Sequence, residues 1–362
     1  MIYFDHNATT PIDERVLQTM LPFLTHYYGN PSSLYKLARL SRSAIDTARE
    51  QVAQLVHARP EQVIFTSGGT EANNLALKGT QHNTKLLTSA FEHPSILESE
   101  RTERVSINSQ GYIDQLDLQV KLNQAFDLAS FMLVNNETGV IQDIASLSSL
   151  VKGKGHLMHT DAVQAAGKIP VDFQALGVDL MSISSHKIYG PKGCGALIGA
   201  LEHITKPLLT GGGQESGLRS GTENVAAIVG FGKAAELAYL ELEKRQAHCL
   251  QLRLYLEQQL LELPGLCIFA PASQRIANTV QFGIEHCIGE MVLMQLDKKN
   301  IAVSSGSACA SNEPAVSHVL SAMDIEKSIA QSAIRVSLGK DNTQQEIDTF
   351  VQILKHIIKQ AR

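Results

Sequence analysis

Two short stretches gather residues able to do chemistry. The first reads HTDAVQ and carries His159, Asp161 and Gln164; the second reads SSHKIYG and carries Ser184, Ser185, His186 and Lys187. Each follows a short apolar run, HLM at 156–158 and DLMSI at 179–183, which reads as the end of a buried strand. Ligands of α/β proteins sit at the carboxyl ends of such strands. A carboxylate and a lysine placed there need a common ligand, or each other. A pyridine-type cofactor suits both, with the lysine as its Schiff base and the aspartate on its protonated ring nitrogen. The plain alternative is a salt bridge beside ordinary strand ends.

Around these stretches the chain alternates strand and helix signals. HNATTPIDERVLQTMLPFL reads as an extended arm, then a helix from about Asp13, with the small polar Asn7, Ala8 and Thr9 suited to a cleft or to a plain turn. GNPSS at 29–33 is a loop. Residues 43–58 predict a helix with a weak Ser43/Asp46 capping box and an apolar face of Ile45, Ala48, Val52, Leu55 and Val56. The strand QVIFT at 62–66 leads into SGGTEANNLALKG, a tight turn opening a helix whose first N–H groups suit an anion such as phosphate. Further strands are expected over the start of KLLTSAFEHPS (85–95), before Glu92 and His93, at 104–108, and over the apolar start of SFMLVNNETGVIQDI, before Asn135, Asn136 and Glu137. His93 stacks on a flat ligand, serves as acid or base, or simply faces solvent. GCGALIGA at 193–200 reads as a glycine-rich strand or hairpin, and GGGQESGLRSGTEN at 211–224 as a functional or interface loop. One long helix is expected from Asn224 to about Leu263. Strands near 279–283, 301–304 and 333–338 then alternate with helices near 289–299, 314–323 and 344–360, the last capped by Thr343 and Glu346.

Composition bounds the answer. A chain of 362 residues exceeds what one core usually serves, so two domains are expected. A net charge of −5 gives no support for nucleic-acid or membrane attachment. Asp5 and His6 break any signal-peptide core, and no stretch is apolar and long enough to span a bilayer, so a cytoplasmic enzyme is the default. The five cysteines form no CxxC pair, which argues against a disulfide scaffold or a zinc knuckle. Cys194, Cys249, Cys267 and Cys287 read as small core fillers. Cys309 lies in SSGSACASNEPAV, 304–316, a segment with little apolar surface to pin it and therefore expected to be mobile.

Taken together, DHNATT, YGNPSS, FTSGGTEANNLA, NNETG, HTDAVQAAGKIPVD, SSHKIYGPKG, GGGQESGLRSGTEN, SSGSACAS and SAIRVSLG resemble, in order and over essentially the whole chain, the cysteine desulfurases of the NifS/IscS type. These are pyridoxal-phosphate enzymes of fold type I in the class V aminotransferase family. The resemblance implies an α/β fold with a large, mostly parallel sheet covered by helices on both faces and a smaller α/β domain. It divides the chain into an arm at 1–15 that joins the small domain, a large domain at 16–260 and a small domain at 261–362 with the cysteine loop. It implies that Lys187 binds the cofactor covalently, that Asp161 meets the pyridine nitrogen and Gln164 the phenolic oxygen, and that His93 stacks over the ring. Gly69, Thr70, Ser184 and His186 match phosphate ligands, with Thr222 reaching the phosphate from the neighbouring subunit of a homodimer. Asn136 and Arg335 match the holders of the substrate carboxylate, a role arginine fills with two parallel bonds; taken alone, Arg335 also fits a salt bridge inside the small domain. Cys309 matches the cysteine that receives sulfur, and is the sole candidate for a transient cluster ligand.

The implied reaction converts L-cysteine to L-alanine and an enzyme persulfide. The rivals are a selenocysteine lyase or another Cβ-acting lyase or transaminase and, in a different class, a scaffold that has kept only the fold. Two departures stand out: Ala310 replaces a common threonine beside Cys309, and the chain ends at Arg362 without the tail with which housekeeping members dock an iron–sulfur scaffold. This speaks against the usual scaffold, and the expected acceptor is instead a component of tRNA thiolation or DNA phosphorothioation, or an iron–sulfur scaffold of the nitrogen-fixation type.

Overall fold

A computed structural model describes residues 1–80, 85–100, 102–305 and 316–361. The chain starts with a short strand, β1 (Ile2–Tyr3), and then builds a seven-stranded sheet from β2 (Val63–Thr66), β3 (Lys85–Ser89), β4 (Thr102–Val105), β5 (Phe126–Ser130), β6 (Leu157–Asp161), β7 (Leu180–Ser184) and β8 (Gly195–Gly199). Their spatial order is β2-β8-β7-β6-β5-β3-β4, and β8 alone runs against the rest. The period-2 rule explains how the sheet is covered. Val63, Phe65, Leu87, Met181, Ile183, Ala196 and Ile198 enter one core with the helices Lys36–Leu55 and Val225–Leu240. The alternate residues Ile64, Leu180 and Leu197 enter another with Ala72, Leu75 and Ala76 of the helix Gly69–Gly79. A sheet buried on both faces reads as continuous apolar runs, which is what these strands show.

A second sheet joins β9 (Leu266–Ile268), β10 (Thr279–Ile284) and β12 (Ile334–Ser337), all antiparallel, in the order β12-β10-β9. The N-terminal arm reaches across to it. β1 pairs in parallel with β11 (Ile301–Ala302), Asp5 bridges Ser337, and Phe4 is fully buried in this core with Val280, Phe282 and Phe350. Leu252, Leu256 and Leu260 of the helix Leu242–Leu261 pack into the same core.

Several local readings shift. The expected strand at the start of SFMLV is β5, ending at Ser130; the amides of Phe131 and Leu133 still bond the carbonyls of His159 and Asp161, so the apolar run prolongs the ladder past the strand. The helix expected from Ser43 begins at Lys36, because Ala38 and Ser41 continue the buried face N-terminally; Ser43 lies inside it, and the supposed capping box is not its start. The single long helix breaks at Glu241, whose carboxylate pairs with both Arg15 and Arg245, giving helices Val225–Leu240 and Leu242–Leu261. The strand expected at 104–108 lies at Thr102–Val105, and Ile107 makes only a bridge to Ile113. Cys267 is exposed, whereas Cys194, Cys249 and Cys287 are buried. The capping box of the last helix is present: Thr343 N–H donates to Glu346 Oε2 and Glu346 N–H to Thr343 Oγ1. Among the described residues no helix is long and apolar enough to cross a membrane.

Candidate active site

Five segments leave the carboxyl ends of β2, β3, β5, β6 and β7 on the same side of the sheet and converge there. Together with the arm and Arg335 of β12 they line one cavity of about 500 Å³, a size suited to a small-molecule site. Gly69, Thr70, His93, Asn136, Asp161, Gln164, Ser184, His186, Lys187 and Arg335 all line it. Thr222 is exposed and is not among the residues lining the cavity in the single chain. Cys309, with the rest of 306–315, lies outside the described residues.

The helix Gly69–Gly79 follows Gly68, and no side chain caps it. Its first N–H groups are therefore left for a ligand at the positive end of the helix. A Cβ on Gly69 would come within 2.8 Å of Val163 Cγ2, so only glycine lets this end press against the loop after β6. Beside it, Ser184 Oγ is buried without a hydrogen-bond partner among the described residues. A buried hydroxyl in that state calls for an acceptor or donor from a bound group. His186 bonds Thr9 Oγ1 through Nδ1 at 3.1 Å, and burial, then Lys187, holds its ring down to about 4, so it is neutral at pH 7.

Lys187 Nζ donates to the carbonyls of Asn7 and Ala8, each at 2.7 Å. Burial first, and Arg335 next, holds this amine down to about 8. A lysine so placed is available unprotonated near neutrality, the form that attacks a carbonyl. Asp161 accepts from Asn73 Nδ2 at 2.8 Å and from the Val163 amide at 2.9 Å. Gln164 donates through Nε2 to the Asn7 carbonyl at 2.8 Å, and its Oε1 accepts from Lys168 Nζ at 2.5 Å. Glu92 is fully buried and accepts from Ser89 Oγ and the Met132 amide; burial pushes its carboxyl up to about 8, so it is protonated at pH 7.

Of the two neighbouring asparagines, Asn135 builds the loop: its Oδ1 takes the amides of Glu137 and Thr138. That leaves Asn136 as the one lining the cavity, and its carbonyl accepts from Arg335 Nη1 at 3.1 Å. Arg335 Nη2 also pairs with Asp5 Oδ1 at 2.7 Å, so the guanidinium both makes a salt bridge and lines the cavity.

Three participants escaped the sequence reading. Asp5 is the charge partner of Arg335, and nothing local in DHNATT signals a contact with a strand so distant in sequence. Asn73 lies four residues after Gly69 on one helix, so both present to the same side, a spacing that was there to be read. Lys168 is half-buried and held by the side-chain oxygens of Asn7 and Gln164, and its charge gave no hint of that position. Among the described residues no cluster of ligating side chains would hold a metal ion.

The aminotransferase class-V family model matches residues 2–350. A cysteine desulfurase IscS of Dictyoglomus turgidum is 40% identical over 375 aligned positions, covering all of this chain and 95% of that protein. The X-ray structure of a NifS-like protein from Rickettsia africae superposes with a TM-score of 0.92 at 36% identity, over 99% of each chain. A structure of SspA in complex with cysteine superposes with a TM-score of 0.82 at 30% identity, over 95% of this chain and all of that one. With matches running nearly end to end, the chain belongs to the aminotransferase class-V family.

Proposed function

We propose that this enzyme is a cysteine desulfurase, which takes sulfur from L-cysteine onto its own thiol and leaves L-alanine. The observation that carries the reading is the single cavity in which Lys187, Asp161, Gln164, His93 and Arg335 meet. The enzyme uses pyridoxal phosphate, and the residues present fit that group. The uncapped helix end at Gly69 and Thr70, Ser184 Oγ and the neutral His186 would take the phosphate, with Thr222 of a second subunit completing it. Asp161 would meet the ring nitrogen, Gln164 the phenolic oxygen, and His93 the ring face. When bound, the cofactor supplies an electron sink for charge developing at Cα.

The chain's own residues do the rest. Arg335 and Asn136 hold the substrate carboxylate, and Asp5 keeps the guanidinium in place. Lys187 holds the cofactor and then, as a free amine, moves the proton at Cα, which its lowered basicity permits near neutral pH. His93 is the second catalytic side chain at the cavity wall. The Cys309 thiolate attacks the substrate sulfur; a sulfur–sulfur bond forms, the carbon–sulfur bond breaks, and a proton replaces sulfur on Cβ. Substrate and enzyme thiol thus become alanine and persulfide without any external oxidant.

The arm (1–15), the large domain (16–260) and the small domain (261–362) are our division of the chain. We place the reaction in the cytoplasm, where thiols stay reduced; the four described cysteines are all free. A homodimer is supported by Leu24, Tyr28, Leu34 and Tyr35, large apolar side chains exposed within one stretch of the chain. The sulfur acceptor is a separate protein of a scaffold or thiolation system. Brief exposure to L-cysteine followed by peptide mass spectrometry tests the sulfur step. One added sulfur is expected on the Cys309 peptide, removable by dithiothreitol, and a Cys309→Ser variant should keep its cofactor yet release little alanine. Sulfur on Cys194, Cys249, Cys267 or Cys287, or a fully active serine variant, would remove Cys309 from its role.

A further inference from the structure

His93 is the N-cap of the short helix Pro94–Leu97, and it caps with its ring: the Ser95 amide donates to Nδ1 at 3.1 Å. A backbone N–H only donates, so this nitrogen carries no proton. Ser95 Oγ lies 2.7 Å from the same nitrogen. That oxygen already accepts from Asn73 Nδ2 at 2.9 Å, and so turns its own proton toward the ring. Asn73 Nδ2 also donates to Asp161 Oδ2 at 2.8 Å. An ionised carboxylate only accepts, which fixes the amide with nitrogen rather than oxygen toward Asp161 and Ser95. Asn73 Oδ1 is left buried without a partner among the described residues, the desolvation cost of that orientation. A directed chain therefore runs from Asn73 to Asp161 on one side and, through Ser95, to His93 on the other. Nε2 is the one ring nitrogen left for the cavity that His93 lines.

We propose that Ser95, oriented by Asn73, is a positioning residue that locks the neutral His93 ring as its Nε2–H tautomer, with the proton on the edge left for the cavity. The proposal rests on the reading of His93 as a catalytic side chain of the desulfurase site, and gives it the part of a hydrogen-bond donor through Nε2. Its consequence is electrostatic. Protonating Nδ1 would break the helix cap and the Ser95 hydroxyl bond together, so both donors oppose a second proton on the ring. The other groups acting on His93 are mixed. Burial, the largest influence, with Lys187 and His318, lowers its basicity, while Asp161 and Glu98 raise it. Glu92 next to it is uncharged at pH 7.

The test is long-range nitrogen–proton NMR of the holoenzyme labelled with 15N-histidine, with His93 assigned by the signal lost in His93→Gln. Wild type and Ser95→Thr should show the Nε2–H pattern with the same titration midpoint. Ser95→Ala keeps the backbone donor but loses the hydroxyl, and should raise the midpoint by roughly half to one pH unit. The acid limb of its turnover profile should move up by a similar amount. Ser95 is only partly buried, so neither substitution opens a core cavity. An Nδ1–H ring in wild type, or one midpoint shared by all three proteins, overturns the proposal. An enzyme that shows the expected tautomer and midpoints but makes no alanine from cysteine would instead sink the desulfurase reading.

Discussion

At the scale of single residues, the site works by taking charged groups out of water and giving each fixed polar partners. Lys187 shows this most directly. Free of cofactor, its amine falls from the usual 10.5 to about 8, because burial and then Arg335 disfavour the ammonium, against the pull of Asp161 and Asp5. Between these values the unfolded chain holds a proton that the folded one does not, so stability rises with pH across that window and is lost as pH falls through about 8. Cofactor-free wild type should therefore gain stability relative to Lys187→Met between pH 8 and 10.5, read by urea unfolding at each pH. A constant difference across this range would mean that the amine is not held down as described.

At the scale of elements, the N-terminal arm ties the two sheets together through Asn7. Its Oδ1 accepts from Lys168 and Asn278, its Nδ2 donates to Asn136 O and Thr279 Oγ1, and its carbonyl accepts from Lys187 and Gln164. Asn7→Ala leaves several buried groups unpaired and should cost about 2–4 kcal/mol of stability. Turnover should fall with it, because the carbonyl that receives Lys187 loses its anchor. A melting temperature within a degree of wild type would show that water replaces the side chain. This element also marks where sequence reading stops. The strand ends at Asp161 and Ser184 were legible because apolar runs stop abruptly there, and the Thr343–Glu346 cap because both partners lie within one turn. The Arg335–Asp5 pair and the Lys168–Asn7 contact were not, since each joins segments far apart in sequence. The break at Glu241 was missed for the same reason: Arg15, one of its two partners, lies 226 positions away in sequence.

At the scale of the whole molecule, one chain leaves its site unfinished on our reading. Thr222 is exposed, and large apolar side chains between Leu21 and Tyr35 stand in solvent, Leu34 at 88% and Tyr28 at 78%. Light scattering at micromolar concentration should return a dimer, and Thr222→Ala should weaken retention of the cofactor severalfold without changing the dimer; a fully active monomer would contradict this. The central claim, however, is the fate of the substrate carbon. Purified holoenzyme given L-cysteine and dithiothreitol should release L-alanine and sulfide in equal amounts, measured by amino-acid analysis of the reaction. Pyruvate with ammonia in place of alanine, or a keto acid that needs an amino acceptor, would contradict the account.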